Sequence, residues 1–81
     1  MKLRLTVRAR DNYLSLPRNL RKLADKQFSL LIRNLRYPSL HAKKYDESSG
    51  EWQARVNGNY RFYFYIVNDT YLVASITKHP K

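Results

Sequence analysis

The chain has 81 residues and no cysteine, so neither a disulfide framework nor a thiolate metal site is available to it. It has only two histidines, His41 and His79, too few with these neighbours for a zinc site. Acidic residues are scarce, six in all, and no Asp/Glu pairs suited to a two-metal nuclease appear. With two glycines in the whole chain there is no Gly-rich phosphate loop, which argues against nucleotide hydrolysis. No apolar run reaches membrane-spanning length, and no signal-peptide pattern is present. The expectation is a soluble, cytoplasmic protein with no cofactor and no metal.

Positive charge is abundant. Sixteen Lys+Arg against six Asp+Glu give a formal net charge of +10. A small domain this basic attracts polyanions, and nucleic acid fits better than other partners. A membrane surface fits less well, because the candidate helix lacks a clean apolar half flanked by Trp and Phe. An acidic protein partner is compatible with either. The length suits one domain, residues 1–81, near the size where a single core is just sufficient.

The stretch from Glu51 to His79 organises the rest. Three aromatic and β-branched runs, broken at Asn57-Gly58-Asn59 and Asn68-Asp69-Thr70, read as an antiparallel meander. Even positions carry Trp52, Ala54, Val56, Tyr60, Phe62, Phe64, Ile66, Leu72, Ala74 and Ile76. Odd positions carry Gln53, Arg55, Arg61, Tyr63, Tyr65, Ser75, Thr77 and His79. Side chains alternate faces along a strand, so one face is a core and the other is wet and cationic. Keeping the apolar set together requires loops with an odd number of residues. Two three-residue loops then pair Val56 with Tyr60, Arg55 with Arg61, Val67 with Tyr71, and Arg61 with Thr77. His79 falls diagonally from Arg61. Arginines facing each other repel, and an anion would relieve them.

Upstream, Lys2 to Val7 alternates as a half-buried strand with a basic outer face. Tyr13, Leu14 and Leu16 belong to a short helical turn or a docking segment. Pro17 opens a helix running to about Leu35, with Leu20, Leu23, Ala24, Phe28, Leu31, Ile32 and Leu35 as its apolar set, and Tyr37-Pro38 stops it. A further strand leads to Tyr45, with Asp46 to Gly50 as the turn. Tyr45 is expected to face Trp52 in the core, which puts Lys44 on the wet face beside Gln53. The order is strand, helix, four strands. This is an α+β fold, helix on one face of a small, mainly antiparallel sheet.

Tyr37-Pro38-Ser39-Leu40, Lys43-Lys44-Tyr45, Trp52 to Asn57, Asn59-Tyr60-Arg61 and Ile76-Thr77-Lys78-His79 resemble motifs of the RelE/ParE superfamily of type II toxin–antitoxin toxins. Their order over nearly the whole chain is most similar to the RelE, YoeB and HigB branch. That resemblance implies a metal-independent endoribonuclease that cuts messenger RNA, usually in the ribosomal A site, and is silenced by a cognate antitoxin. It places Arg55 where RelE has a sheet lysine and Arg61 at a family arginine. It sets His79 at a position that is histidine in YoeB and arginine in RelE, and Lys44 at a lysine before the preceding turn. Pro80 stands where many relatives have an acid, and the wet face shows no clear carboxylate general base.

On chemistry, Arg61 is the candidate phosphate clamp and transition-state stabiliser, against an ordinary exposed strand arginine. Arg55 either orients the 2′-hydroxyl, binds phosphate, or is simply solvated. His79 is the candidate proton-transfer group, against a frayed terminal residue, while His41 reads as a loop residue. Lys43, Lys44, Lys78 and Lys81 supply phosphate electrostatics or plain solubility. Gln53 and Thr77 share the RNA-facing surface. Tyr63 either stacks on unpaired bases or packs across the sheet. Three functions follow: an mRNA interferase with Arg61, His79 and Arg55 as catalytic residues; a ParE-like toxin inhibiting a protein such as gyrase; or a non-catalytic nucleic-acid-binding module. The expected partners are an acidic antitoxin, mRNA and the ribosome, with no membrane.

Overall fold

A computed structural model describes residues 1–79; Lys81, one of the RNA-binding candidates, lies outside the described residues. Strand β1 (Lys2–Leu5) leads into helix α1 (Val7–Ser15) and helix α2 (Arg18–Arg33). A 3₁₀ turn (Pro38–Leu40) follows, then β2 (Lys43–Asp46), β3 (Glu51–Arg55), β4 (Tyr60–Val67) and β5 (Thr70–Lys78). The sheet order is β1-β5-β4-β3-β2, with β1 parallel to β5 and every other pair antiparallel. The expected α+β architecture is what the chain adopts.

The helical part holds more than the sequence pattern suggested. Val7 does not extend β1 but begins α1, because the Thr6 side chain accepts from the Ala9 N–H at 3.1 Å and caps the helix. The Thr6 hydroxyl also donates to the Ala74 carbonyl at 3.0 Å. Helix α2 has Pro17 at its N-cap and buries Leu20, Ala24, Gln27, Phe28 and Leu31. Leu23 and Ile32, expected in the apolar set, are exposed. Gln27 takes a place on the buried stripe instead.

The core lies between the helices and one sheet face. Ala9, Leu16, Leu20, Ala24, Phe28 and Leu31 meet Ala54, Val56, Phe62, Phe64, Tyr71, Val73 and Ile76. Phe28 packs edge-on against Phe62 with ring centroids 5.0 Å apart, an arrangement that complements the ring quadrupoles.

The first hairpin follows the expected register. Arg55 faces Arg61, and the Val56 N–H donates to the Tyr60 carbonyl at 3.0 Å across the three-residue loop. The second hairpin departs from it. Val67 faces Thr70 rather than Tyr71, so the loop is Asn68-Asp69 alone, with Asn68 at φ 55°. A two-residue loop reverses parity, and Tyr71 and Val73, not Leu72 and Ala74, enter the core. The register then shifts between Tyr63/Phe64, where Ser75 and Val73 are the successive partners and Ala74 is left over. This β-bulge restores the expected phase, so Arg61 faces Thr77 and Phe62 faces Ile76 as anticipated.

Candidate phosphodiester-binding cleft

The sheet face away from the helices carries two rows of side chains. One crosses β3, β4 and β5 as Arg55, Arg61 and Thr77; the other runs Lys43, Gln53, Tyr63 and Ser75 across β2 to β5. At the end of the first row the surface forms a cleft of about 430 Å³, lined by His41, Lys43, Gln53, Arg55, Arg61 and His79 with Ala42 and Ala54. Among the described residues, every charged side chain in that lining is basic. The cleft therefore suits an anion held by guanidinium and ammonium groups.

The loop Asn57-Gly58-Asn59 assembles it. The Asn57 carboxamide oxygen accepts from the N–H groups of Asn59 and Tyr60 at 2.9 and 2.8 Å, which folds the loop as an Asx turn. Its carbonyls then turn toward the site. Arg61 Nη1 donates to Asn57 O at 2.8 Å, Gly58 O at 3.1 Å and Tyr60 O at 3.2 Å. The Asn59 carbonyl accepts the backbone N–H of His79 at 2.6 Å. One loop thus fixes a guanidinium on β4 and the main chain just past β5.

Arg61 is accordingly no ordinary exposed strand arginine: it is 8% exposed. The facing arginines coexist because the loop carbonyl dipoles take up part of the Arg61 charge. Gln53, 7% exposed, donates from Nε2 to the Tyr63 hydroxyl at 3.1 Å and holds that ring in place.

The expected site residues divide into groups. Arg55, Arg61, His79, Lys43 and Gln53 line the cleft. Tyr63, Thr77 and Lys78 line a neighbouring hollow of about 400 Å³ with Arg8, Tyr45, Glu51 and Ser75. Lys44 belongs to neither. It faces Trp52, with Nζ 5.5 Å from the indole centroid; the expected placement beside Gln53 belongs to Lys43. The cause is a register shift between Lys44 and Asp46, which sends Tyr45 out of the core to pack edge-on against Tyr63 at 4.9 Å. Glu51, which shares that hollow, is a carboxylate on the wet face that the strand pattern overlooked.

Two residues went unrecognised in the sequence. His41 ends the 3₁₀ turn in the left-handed conformation, φ 47° and ψ 41°, and lines the cleft. A non-glycine residue there costs on the order of 1 kcal/mol. Gln27, 6% exposed, donates from Nε2 to the carbonyls of Ser39 and Arg55 at 3.1 and 2.9 Å, and its Oε1 accepts from the Ser39 hydroxyl at 3.3 Å. It ties the turn before His41 to the strand that carries Arg55. Leu20, Ala24, Gln27 and Leu31 lie at helical spacing, so a polar residue on the buried stripe was the available signal. Among the described residues no His/Cys/Asp/Glu cluster suits a metal ion, and no helix is long and apolar enough to cross a membrane.

No family model matches the sequence, and no curated relative matches it. Solved structures do. A YoeB/ParE toxin from Agrobacterium tumefaciens superposes with TM-score 0.82 at 16% identity, over 99% of this chain and 100% of that one. The toxin–antitoxin complex RelBE2 from Mycobacterium tuberculosis gives TM-score 0.78 at 25% identity, over 96% of each chain. The isolated E. coli RelE toxin gives 0.78 at 16% identity, over 99% of this chain and 85% of that one. The chain has the RelE/ParE-superfamily fold, and the resemblance carried by its sequence motifs holds in three dimensions.

Proposed function

We propose that this chain is the toxin of a type II toxin–antitoxin system and a metal-independent endoribonuclease that cuts mRNA on the ribosome. The observation that carries this reading is the cleft where Lys43, Arg55, Arg61 and His79 converge, with no carboxylate side chain in the lining among the described residues. In the reading, Arg55 and Arg61 hold the non-bridging oxygens of the scissile phosphate. They stabilise the charge that builds on them as the 2′-oxygen attacks. His79 transfers a proton at the reacting phosphate. The Tyr63 ring, with Thr77 and Lys78 beside it, supports an unpaired base next to the cleft. The site would act in the cytoplasm and be covered by an acidic antitoxin, in keeping with the net charge of +10.

The test is expression of wild type, Arg55→Gln and His79→Asn in growing cells, with 5′-end mapping of transcripts. Neither substitution removes a side chain that ties the Asn57–Asn59 loop. The expected result is growth arrest with in-frame messenger cuts, and loss of those cuts in both variants. Any cleavage of the same RNA free in solution should persist in a metal chelator. Arrest without cuts, indifferent to both substitutions, would replace this reading with inhibition of a protein target such as gyrase. RNA binding with neither arrest nor cutting would leave a binding module.

A further inference from the structure

Gly58 is a glycine that its own loop does not call for. Its φ lies outside the left-handed range, and a Cβ built on it meets nothing within 4 Å beyond its chain neighbours. Neither backbone nor space therefore requires the missing side chain. What glycine does supply is an unshielded main-chain N–H directly after an asparagine. We infer that Asn57-Gly58 is a deamidation site, and that the carboxylate it creates draws Arg61 from the cleft, so that the chain inactivates itself with age. The loss of cutting rests on the endoribonuclease reading; the modification does not.

The loop offers both partners of the reaction. The Gly58 N–H has no hydrogen-bond partner among the described residues, and the residue is exposed, so the nucleophile is free and water can reach it. The carbon it attacks is polarised: the Asn57 Oδ1 accepts from the N–H groups of Asn59 and Tyr60 at 2.9 and 2.8 Å. Two donors on one carbonyl oxygen stabilise the oxyanion that forms when Cγ is attacked. Asn12, Asn19, Asn34, Asn59 and Asn68 precede Tyr13, Leu20, Leu35, Tyr60 and Asp69, whose side chains crowd the N–H that would have to attack.

The chemistry balances with water alone. The Gly58 nitrogen gives up its proton and bonds to Asn57 Cγ; the Cγ–Nδ2 bond breaks, and Nδ2 leaves as ammonia. The five-membered imide that results takes up water at either carbonyl, and the Gly58 nitrogen regains a proton. Opening on the side-chain side gives aspartate. Opening on the main-chain side gives isoaspartate, in which the chain runs through Cβ and Cγ.

Both products put a full negative charge where Arg61 now meets dipoles. In isoaspartate the former Asn57 main-chain oxygen, which accepts Arg61 Nη1 at 2.8 Å, belongs to a carboxylate. A guanidinium prefers a carboxylate to a neutral carbonyl, so Arg61 turns further into the loop and its remaining N–H groups leave the cleft. The extra backbone atom also displaces Asn59, whose carbonyl holds the main chain of His79. The formal net charge of +10 falls by one.

The experiment incubates the purified chain, folded and, as a reference, unfolded in urea, and follows the masses of its peptides with time. The peptide carrying Asn57 should gain one mass unit in the folded chain ahead of the peptides carrying the other asparagines. The gain should quicken as pH rises, because the Gly58 nitrogen must lose its proton. Gly58→Ala, which has room for its Cβ, should suppress the gain, with circular dichroism verifying its fold. Samples are then assayed on ribosomes programmed with a short synthetic message, and for binding of the same RNA free in solution, each against its own fresh protein. Cutting should fall in step with the converted fraction, and the converted chain should bind RNA with a salt slope shallower by about one. An Asn57 that stays intact in the folded chain while the unfolded chain converts would overturn the inference. So would earlier conversion of another asparagine, or a converted chain that cuts as fast as the fresh one. A fresh wild type that cuts no RNA would overturn the endoribonuclease reading, with the mass and salt-slope readings still deciding the deamidation and its effect on Arg61.

Discussion

Replacing Gln27 with leucine isolates the contact that joins the helices to the cleft. Leucine has similar bulk and suits the buried helix stripe, so cavity formation is minor. What disappears is hydrogen bonding: two donations from Nε2, to Ser39 and Arg55 carbonyls, and one acceptance from the Ser39 hydroxyl. Net hydrogen bonds contribute about 1 kcal/mol each, with more lost where partners stay buried and unpaired. The two carbonyls are part-buried and the hydroxyl bond is long at 3.3 Å, so the expected loss is about 2–3 kcal/mol. For a domain of this size that corresponds to a fall in Tm of about 10–20 °C.

Urea unfolding reads this as a lower midpoint with an unchanged slope, since the surface exposed on unfolding hardly changes. Ser39→Ala removes only the long bond and should cost less than about 1 kcal/mol; the Gln27/Ser39 double-mutant cycle then gives the coupling directly. A loss below about 0.5 kcal/mol for Gln27→Leu would refute the reasoning, since water would have to replace Nε2 at both carbonyls. A larger fall in RNA cutting than the folded fraction explains would tie the clamp to the placement of His41 and Arg55.

Three further outcomes follow from the same geometry. Arg61→Ala should destabilise the fold by about 1.5–3 kcal/mol, because it takes the Nη1 donor from the Asn57 and Gly58 carbonyls and leaves the Tyr60 carbonyl only its backbone donors; an unchanged urea midpoint would contradict that. Thr6→Val should cost about 1–2 kcal/mol, from loss of the Ala9 cap and the bond to the Ala74 carbonyl, seen as a lower Tm. The Ser48 hydroxyl, then its N–H, hold the Asp46 carboxyl below its ordinary value. A lowered folded-state pKa means the turn is favoured while Asp46 is ionised. The contribution is complete above the unfolded carboxyl value and is lost as pH falls through the folded one. NMR titration should place Asp46 below the ordinary aspartate value, and Ser48→Ala should raise it.

The sequence carries the fold wherever side-chain alternation and loop parity act together. Arg55 opposite Arg61 follows from Val56 and Tyr60 both needing the core, and the three-residue Asn57–Asn59 loop is the solution the chain uses. At the second hairpin the same logic gives the right far register by a different route. Asn68 tolerates a positive φ, so the loop closes one residue earlier and the Ala74 bulge absorbs the difference. Alternation reports the sum of loop and bulge, not each separately. Lys43 and Lys44 are adjacent and identical in type, so composition has no means of choosing which faces the cleft; the shift at Tyr45 decides it. His41 is hidden for another reason. Its position depends on a left-handed residue after a 3₁₀ turn and on a glutamine fourteen positions upstream; the helical spacing marks that glutamine as buried but does not say which turn it holds.

The placement of Arg61 bears on how any loss of activity should be interpreted. A guanidinium that both binds a phosphate and holds a loop has its donors divided. Nη1 goes to three carbonyls, while the remaining N–H groups have no hydrogen-bond partner among the described residues and the side chain borders the cleft. Removing it therefore removes the proposed phosphate contact and slackens the loop whose Asn59 carbonyl anchors the main chain of His79. Arg61→Ala and His79→Asn are then coupled, and their effects on cutting should sum to more than the double variant loses. Arg55 keeps its distance from that loop: its carbonyl is held by Gln27, and its side chain has no hydrogen bond to the Asn57–Asn59 segment among the described residues. Arg55→Gln combined with His79→Asn should therefore come closer to additivity, and full additivity of the Arg61 pair would mean that the loop does not transmit between them.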